Sequence, residues 1–327
     1  MPPDPPPFCL IGGSGRSGTT ILYDVFARHP AVAAFPELRF PTDPDGLADV
    51  LRDADSGWTP FAYDLRVRRL LDLLRRAAAD PPVRKAWRLL ARLAPRAPRK
   101  LERRYLGLRA CDVCPPFLDH VAALEARLTG FAYDGTWVGL PAGSAARMRY
   151  HAPWGPDALA DALGTFWQAV AADTCRHAGR PVFLEKETWS ILHLDTLRRL
   201  VPHARLVHIV RDPRDVVASY TRQRWAPSDP VHAAEIYRDV MARWEAVRAR
   251  VPAEAVHDVR LEDLVADPRG VLEGICEFWG IDWDDALLAT DLGRSHARRW
   301  RRDLPVASHA AVEALVAPVL HAYGYEA

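Results

Sequence analysis

Two short segments of the chain combine residue types that bind phosphate or sulfate groups. The first segment, Gly12–Thr20, has the sequence GGSGRSGTT and separates an apolar run, Phe8–Ile11, from a stretch with helical spacing that begins at Thr19. A glycine-rich turn between a strand and a helix directs main-chain N–H groups and the positive end of the helix dipole toward one point. The residues expected to surround an anion there are Gly15, Arg16, Ser17, Gly18, Thr19 and Thr20.

This loop departs from the GxxxxGK[ST] pattern of nucleotide triphosphatases. Gly13 and Gly18 match the two glycines of that pattern, whereas Thr19 stands at the lysine position and the cation of the loop is Arg16. The lysine of the pattern reaches the terminal phosphates of a nucleoside triphosphate. Its replacement argues against hydrolysis of ATP or GTP.

The second segment, Val210–Ser219, has the sequence VRDPRDVVAS. Arg211 directly follows an apolar run, Arg205–Val210, and Pro213 suits the first turn of a following helix. Ser219 lies two turns along that helix, so the guanidinium and the hydroxyl can meet at one phosphate. The alternative is a helix cap with a surface ion pair, which needs no ligand.

The elements around these segments predict an α/β fold. Three apolar runs, Phe8–Ile11, Pro181–Leu184 and Arg205–Val210, are interpreted as buried strands, and each runs into polar residues and then a helical pattern. This alternation predicts a P-loop-like, three-layer arrangement in which a central parallel sheet is flanked by helices on both faces. The predicted helices include residues 19–29, 63–93, 117–128, 156–177 and 189–200.

The length of the chain suits one large domain or two modest ones, and we predict a single domain spanning residues 1–327. Residues 1–7 are rich in proline and are expected to be disordered. Residues 42–155 are predicted to form a mostly helical insertion, with an irregular segment at 131–155. The insertion either carries contacts to an acceptor substrate or is a lid without a role in specificity. Its aromatic residues Trp137, Tyr150 and Trp154 line a pocket in the first case and pack the insertion in the second.

Charge and cysteine content exclude several classes of protein. Lys and Arg total 43 and Asp and Glu total 42, so the formal net charge of +1 argues against a nucleic-acid-binding or membrane-surface protein. No run of apolar residues approaches the ~18 that span a membrane, and the N-terminus lacks the pattern of a secretory signal. The five cysteines are too scattered for a disulfide framework, and Cys111 and Cys114 are expected to be unpaired thiols. These features predict a cytoplasmic protein.

Lysine is rare in this chain. Of the 43 basic residues only Lys85, Lys100 and Lys186 are lysines. Lys186 follows the second apolar run, where a parallel sheet would bring it to the edge that carries the loops. Its retention in an arginine-rich chain favours a chemical role for its ammonium group, with an ion pair to Glu187 as the alternative.

The two phosphate-binding segments together resemble the sulfotransferases that use 3′-phosphoadenosine 5′-phosphosulfate (PAPS), and the bacterial and Golgi-type branch most closely. Three further blocks extend the resemblance: Glu185–Lys186 with ILHLD at 191–195, LEDLVADP at 261–268 and RWRRDL at 299–304. The five blocks occur in the family's order within residues 8–40 and 181–304, and the middle of the chain shows no resemblance.

The resemblance implies a donor site for PAPS. The loop Gly15–Thr20 would hold the 5′-phosphosulfate, and Arg211 and Ser219 would hold the 3′-phosphate. The late basic segment that closes over the nucleotide in this family corresponds to Arg294, Arg299 and Trp300. The alternative for that segment is a solvated surface helix. No metal is expected, because the transferred group carries one negative charge and the sequence contains no convincing ligand set.

The implied reaction is in-line transfer of a sulfuryl group from PAPS to a hydroxyl, in preference to an amine, of a small molecule or glycoconjugate. Its second product is PAP. Glu37 occupies the position where this branch keeps a glutamate base, and an ion pair with Arg39 is the alternative. Arg16 and Lys186 would stabilise the leaving oxygen. His193 and His151 are the next candidates for the base.

Two positions depart from the family. Glu187-Thr188 follows Lys186 where the family has Thr-Pro, and Leu261 replaces an aromatic residue that contacts adenine. The loop shared with kinases leaves a nucleotide-dependent small-molecule kinase as one rival, and the departures leave a catalytically silent nucleotide-binding protein as the other. The sequence indicates neither the acceptor nor the oligomeric state.

Overall fold

The structure is a computed structural model that describes residues 5–54, 58–78, 109–137, 146–155, 157–290, 292 and 298–326. The strands are β1 Phe8–Gly12, β2 Val32–Phe35, β3 Phe131–Gly135, β4 Ala146–Tyr150, β5 Val182–Lys186, β6 Arg205–Val210 and β7 Val256–Arg260. Five of them form one sheet in the order β2-β5-β1-β6-β7, and β3 and β4 form a separate two-stranded sheet. The five-stranded sheet is parallel and flanked by helices, so the predicted fold class is confirmed.

The helices of the described residues are α1 Thr19–Phe26, α2 Leu47–Ala54, α3 Pro60–Ala78, α4 Ala110–Val113, α5 Phe117–Arg127, α6 Ala158–Ala178, α7 Leu194–Leu200, α8 Pro213–Tyr220, α9 Pro230–Arg248, α10 Leu261–Ala266, α11 Pro268–Trp279, α12 Trp300–Asp303 and α13 His309–Ala322. Short 3₁₀ turns cover Thr188–Leu192, Ala253–Ala255, Asp285–Ala289 and Val306–Ser308. None of the described helices is long and apolar enough to cross a membrane.

The central strands are apolar because both of their faces are covered. Every residue of β1 and β5 is buried, as is every residue of β6 after Arg205. β1 pairs in parallel with β6, with Gly12 opposite His208. The loop that follows Gly12 and the segment that follows Val210 therefore leave the sheet from neighbouring strand ends.

The chain divides into two compact units. The first unit comprises Met1–Pro6, Phe35–Phe183 and Thr196–Pro202, and the second unit comprises Pro7–Ala34, Leu184–Asp195 and His203–Ala327. The insertion predicted at 42–155 falls within the first unit. Both phosphate-binding segments fall within the second unit.

The described part of the insertion begins with helices, as predicted, but ends differently. The helix predicted at 63–93 is observed as α3, which ends at Ala78, and residues 79–93 lie outside the described residues. The prediction of an irregular segment at 131–155 is wrong, because β3 and β4 pair there as an antiparallel hairpin. The aromatic alternation in β3 spans only five residues, too short a pattern to stand out from its glycine-rich surroundings.

Contacts with α3 stabilise the outer edge of this hairpin. The N–H of Arg149 donates to Oδ1 of Asp64 at 2.8 Å, and the guanidinium of Arg68 donates to the carbonyl oxygen of Arg147. Asp64 and Arg68 also pair with each other at 2.6 Å across one turn of α3. Two side chains thus satisfy main-chain groups that an adjacent strand would otherwise pair.

Sequence analysis missed the two outer strands of the main sheet, β2 and β7. β2 has only four residues, and β7 reads VHDVR, with Asp258 exposed between two buried valines. An outer strand has one unpaired edge and is shorter or more polar than a central strand. The helix predicted at 189–200 is a 3₁₀ turn, Thr188–Leu192, followed by α7.

Substitution of Gly164 tests how closely α6 packs on α7. A Cβ at this position would overlap the carbonyl group of Leu200 at the end of α7. We expect Gly164→Ala to lower the free energy of unfolding by about 2 kcal/mol, because a clash with main chain outweighs the better helix propensity of alanine. Urea unfolding followed by circular dichroism measures the change.

Gly274 in α11 provides the matched control. The nearest atom to a Cβ there is Nε2 of His257 at 4.0 Å. Gly274→Ala should therefore leave stability unchanged or raise it by up to about 1 kcal/mol. A Gly164→Ala variant as stable as the wild type would show that the contact between α6 and α7 is looser than described.

Candidate active site

The glycine-rich loop between β1 and α1 is tightly folded. Gly15, Arg16 and Gly18 have φ angles of 80°, 60° and 108°, in the left-handed region. A Cβ at Gly18 would lie 2.9 Å from the side chain of Leu261, and a Cβ at Gly13 would lie 2.7 Å from a main-chain oxygen of β6. The two glycines that match the triphosphatase pattern are therefore both required by the space around the loop.

The loop ends at the N-terminus of α1, which is suited to an anion. Gly18 is the N-cap and supplies no side-chain hydrogen bond, and the first turn contains no acidic residue. The first N–H groups of a helix have no carbonyl partner within the helix and carry the positive end of its dipole. Thr19 and Thr20 are the first two residues of that turn. Both were predicted to surround the anion.

Ser17 is oriented differently from its neighbours in the loop. Its side chain is buried, and its Oγ has no hydrogen-bond partner within the described residues. The Oγ lies only 2.4 Å from the position of a Cβ on Gly13, so the hydroxyl is directed into the loop.

The two phosphate-binding segments meet at Arg16. Its Nε donates a hydrogen bond to Oγ of Ser219 at 3.0 Å, and Nη1 of Arg211 lies 3.5 Å from the carbonyl oxygen of Arg16. The structure thus brings together three of the predicted residues from two distant parts of the chain. Two guanidinium groups and one hydroxyl lie beside the N-terminus of α1, an arrangement that favours a doubly or triply charged anion.

The segment after β6 also forms the helix cap that was the alternative interpretation. Oδ1 of Asp212 accepts a hydrogen bond from the N–H of Arg214 at 2.9 Å, and Pro213 occupies the first turn of α8. Glu262, from the LEDLVADP block, accepts a hydrogen bond from the N–H of Asp212 at 3.0 Å and another from the hydroxyl of Tyr325 at 2.7 Å. The cap and the contact with the loop coexist, so the two interpretations are not exclusive.

Lys186 is the last residue of β5 and is buried. Its Nζ donates a hydrogen bond to Oγ1 of Thr20 at 3.3 Å, which places the ammonium group at the first turn of α1. Glu187 caps the following 3₁₀ turn, where its Oε1 accepts the N–H of Trp189 at 3.2 Å. The local turn therefore forms without the Thr-Pro sequence of the family.

The late basic segment is anchored to the start of α8. The N–H groups of Arg298 and Trp300 each donate to the carboxylate of Asp215 at 2.8 Å. The ring of Trp300 is buried, with the guanidinium of Arg214 4.7 Å from its centre. Nε of Arg299 lies 3.4 Å from Asp303. Arg294 lies outside the described residues.

Glu37 belongs to the first unit, in the segment between β2 and α2. Its side chain is half-buried, next to the buried Pro36 and the half-buried Leu38. Arg39, the alternative partner of Glu37, forms an ion pair with Asp43 at 2.8 Å. Burial raises the pKa of Asp43, Arg39 opposes this shift, and the nearby charge of Glu37 adds to it.

The other candidates of the first unit lie in aromatic contacts. His151 stacks on Trp154 with 3.8 Å between ring centres. The ring of Tyr150 stacks on Phe131 at 4.8 Å, and that of Trp137 on Phe61 at 5.2 Å. His193, in the second unit, ends the 3₁₀ turn after Lys186.

Sequence analysis missed three aromatic residues beside the loop. The hydroxyl of Tyr220 donates to the carbonyl oxygen of Ser14, and burial raises the pKa of this tyrosine. The indole of Trp189 lies 4.0 Å from a Cβ position on Gly15. Trp225 packs edge-on against both rings, with centre distances of 4.8 Å to Tyr220 and 6.3 Å to Trp189. No motif or spacing marks these residues, because Tyr220 and Trp189 reach the loop, and Trp225 reaches their rings, through the tertiary fold.

The described residues contain neither a cluster of metal ligands nor a disulfide. Within the described residues no group of three or more His, Cys, Asp and Glu side chains could hold a metal ion. All five cysteines are free, so the prediction of unpaired thiols at Cys111 and Cys114 is confirmed. Burial raises the pKa of Cys114 to about 11, which keeps this thiol protonated at neutral pH.

Comparison with known proteins identifies the family. The model of the sulfotransferase family matches residues 7–285, so the chain belongs to this family and is a transferase. Sulfotransferase STF9 from Mycobacterium avium is similar in structure, with 16% identity, a TM-score of 0.50, and 98% of this chain and 78% of that chain covered. This likeness supports the fold alone.

A second solved structure aligns over the whole chain. The sulfotransferase domain of the olefin synthase from Synechococcus PCC 7002 has 21% identity and a TM-score of 0.49, with 100% of this chain and 98% of that chain covered. A comparison with curated protein sequences finds no match.

Tyr220 is expected to keep the loop in its tight conformation. Tyr220→Phe removes the donor to the buried carbonyl of Ser14 and should lower the free energy of unfolding by about 1–2 kcal/mol. The loop amides at 13–19 should also exchange faster with solvent, as measured by hydrogen–deuterium exchange. Tyr133→Phe, at a side chain that is 43% exposed in β3, serves as the control. Unchanged exchange in the loop would contradict the role given to Tyr220.

Proposed function

We propose that the protein transfers a sulfuryl group from PAPS to a hydroxyl of a small molecule or glycoconjugate. The contact between Arg16 and Ser219 carries this proposal, because it joins the two phosphate-binding segments at one place. A donor with phosphate groups at both ends of a nucleoside needs two such segments side by side. Membership of the sulfotransferase family supports the same reaction.

The residues of the second unit fit such a donor. The N–H groups at the start of α1, together with Arg16, would hold the 5′-phosphosulfate. Arg211 and Ser219 would hold the 3′-phosphate, as bidentate and single hydrogen-bond donors. The late segment with Arg299 would add positive charge near the nucleotide. Leu261 packs under Gly18, so an aromatic contact to adenine would have to come from another residue.

The chemistry asks the protein mainly for positioning and charge stabilisation, as in phosphoryl transfer. Arg16 and Lys186 would stabilise the negative charge that develops on the leaving oxygen as the bond from sulfur to that oxygen breaks. Glu37 would accept the proton of the acceptor hydroxyl as a bond forms between the hydroxyl oxygen and sulfur. The role of Glu37 rests on the resemblance to the family. No metal enters this scheme.

The acceptor is proposed to contact the first unit, which contains the aromatic side chains Tyr150, Trp154 and Trp137. Aromatic rings bind apolar and sugar surfaces while leaving hydroxyls free. A cytoplasmic location remains part of the proposal.

Ligand-dependent stabilisation tests the donor, and Glu37→Gln tests the base. We expect PAP to raise the melting temperature without a metal ion, and labelled PAPS to sulfate at least one member of a panel of hydroxyl compounds.

Glu37→Gln should lower turnover by about a hundredfold or more, with the Kd of PAP unchanged. Calorimetry measures the Kd, and release of PAP measures turnover.

Glu277→Gln on the exposed face of α11 is the matched control for this substitution. No stabilisation by PAP or PAPS at millimolar concentration would contradict the proposed donor. Stabilisation by ATP that requires Mg²⁺ would favour a kinase. Loss of PAP binding in Glu37→Gln would mean that this carboxylate does not act as the base.

Two cations of the proposed site, Lys186 and Arg211, should have separable effects. Lys186→Met should lower kcat by about a hundredfold with little change in the Kd of PAP, since the charge of Lys186 acts on the leaving oxygen.

Arg211→Ala should lower the affinity for PAP by about tenfold. It should hardly affect the affinity for adenosine 5′-monophosphate, which lacks the 3′-phosphate. Arg238→Ala, at an exposed arginine of α9, is the control. Equal losses for both nucleotides in Arg211→Ala would contradict its assignment.

A further inference from the structure

Asp215 lies one helical turn after Arg211 and is completely buried. It occupies the first turn of α8, and none of its side-chain surface is exposed. A carboxylate near the start of a helix is stabilised by the helix dipole, and that is the simplest account of its presence. The contacts of Asp215, however, lead out of its own helix.

Two N–H groups of the late basic segment and the guanidinium of Arg211, which precedes α8, surround the carboxylate. The N–H of Trp300 donates to Oδ1 at 2.8 Å, and the N–H of Arg298 donates to Oδ2 at 2.8 Å. Nη2 of Arg211 lies 3.5 Å from the same Oδ2. One carboxylate therefore contacts both the arginine proposed for the 3′-phosphate and the turn that precedes α12.

The energetic cost of burial makes these contacts interdependent. A buried carboxylate is unfavourable unless hydrogen-bond donors and a positive charge compensate it. Burial raises the pKa of Asp215, whereas the charge of Arg211 and the N–H groups of Trp300 and Arg298 lower it. Displacing the turn would remove two donors from the carboxylate, so the position of the turn is coupled to the charge at Asp215.

We infer that Asp215 is a positioning residue that joins the turn Arg298–Trp300 to Arg211, so that binding of a nucleotide 3′-phosphate and ordering of this turn depend on each other. The inference rests on the proposed function, because it takes Arg211 as the 3′-phosphate contact. Asp215 acts through Arg211 and through the main chain on either side of Arg299. By linkage, a phosphate that orders the turn is itself bound more tightly when the turn is ordered.

Two substitutions separate the position of the carboxylate from its charge. Asp215→Glu keeps the charge but adds a methylene in a fully buried site. Asp215→Asn keeps the shape but replaces one acceptor oxygen by an NH₂ group, which cannot accept from an N–H. Asp215→Asn also removes the repulsion between the carboxylate and a bound phosphate. The affinity for the two nucleotides is therefore compared in Asp215→Glu, and the effect of the 3′-phosphate on the turn Arg298–Trp300 is compared in Asp215→Asn.

The wild type is expected to bind PAP more tightly than adenosine 5′-monophosphate. In Asp215→Glu this preference should fall by about tenfold, with the affinity for adenosine 5′-monophosphate within about twofold of the wild type. In the wild type, PAP should slow amide exchange at Arg298 and Trp300 more than adenosine 5′-monophosphate does, as measured by NMR. In Asp215→Asn that difference should disappear.

Asp239, a 67% exposed aspartate of α9, gives matched controls in Asp239→Glu and Asp239→Asn. Melting temperatures without ligand report whether each variant folds, and the exchange comparison decides the question if Asp215→Glu does not fold. An unchanged preference in Asp215→Glu, or a difference in protection that persists in Asp215→Asn, would overturn the inference and leave the proposed function intact. A wild type that binds both nucleotides equally would overturn both.

Discussion

The parallel pairing of β1 with β6 is the constraint on which the proposed donor site depends. Gly12 lies opposite His208 in this pair, so the glycine-rich loop and the segment leading into α8 start from adjacent strand ends. Arg16 and Ser219, 203 positions apart, then lie within hydrogen-bonding distance. Both strands are buried, and a slip of one residue would turn their side chains to the opposite faces of the sheet. Packing of the sheet therefore sets the geometry of the site.

The fold was predictable where a single stretch of residues contains the whole pattern that identifies a strand or a loop. The central strands are continuous apolar runs, and the loop has its glycines at positions that the space around it requires. The outer strands β2 and β7 were missed because they are short or polar. Convergence of Arg16, Arg211 and Ser219 followed from topology. Asp215 and Tyr220 were missed as site residues because the main-chain groups that they bind lie 83 or more positions away, and no local sequence pattern indicates such contacts.

Three carboxylates stabilise the main chain around Arg211 and the start of α8. Asp212 directly follows Arg211, Asp215 lies 3.5 Å from it, and Glu262 binds the N–H of Asp212. Each of the three carboxylates accepts at least one main-chain N–H group. Their negative charge is thus compensated by the protein before any ligand binds. Asp212 and Glu262 fix the start of α8, and Asp215 connects it to the late basic segment. The surface proposed to bind an anion is in this way held by the buried Asp212 and Asp215 and the half-buried Glu262. This pairing accounts for the grouping of arginines here in a chain with almost equal numbers of acidic and basic residues.

The division of the chain has an evolutionary consequence. The chain leaves the second unit at Ala34 and returns to it at Leu184, so most of the first unit is one continuous stretch. Every described residue assigned to the donor lies outside that stretch, whereas Glu37 and the aromatic side chains assigned to the acceptor lie inside it. Under the proposed roles, recombination at these two points would exchange the residues assigned to the acceptor and leave those assigned to the donor in place. Acceptor specificity could then diversify within a lineage while the residues proposed to bind the donor stay unchanged.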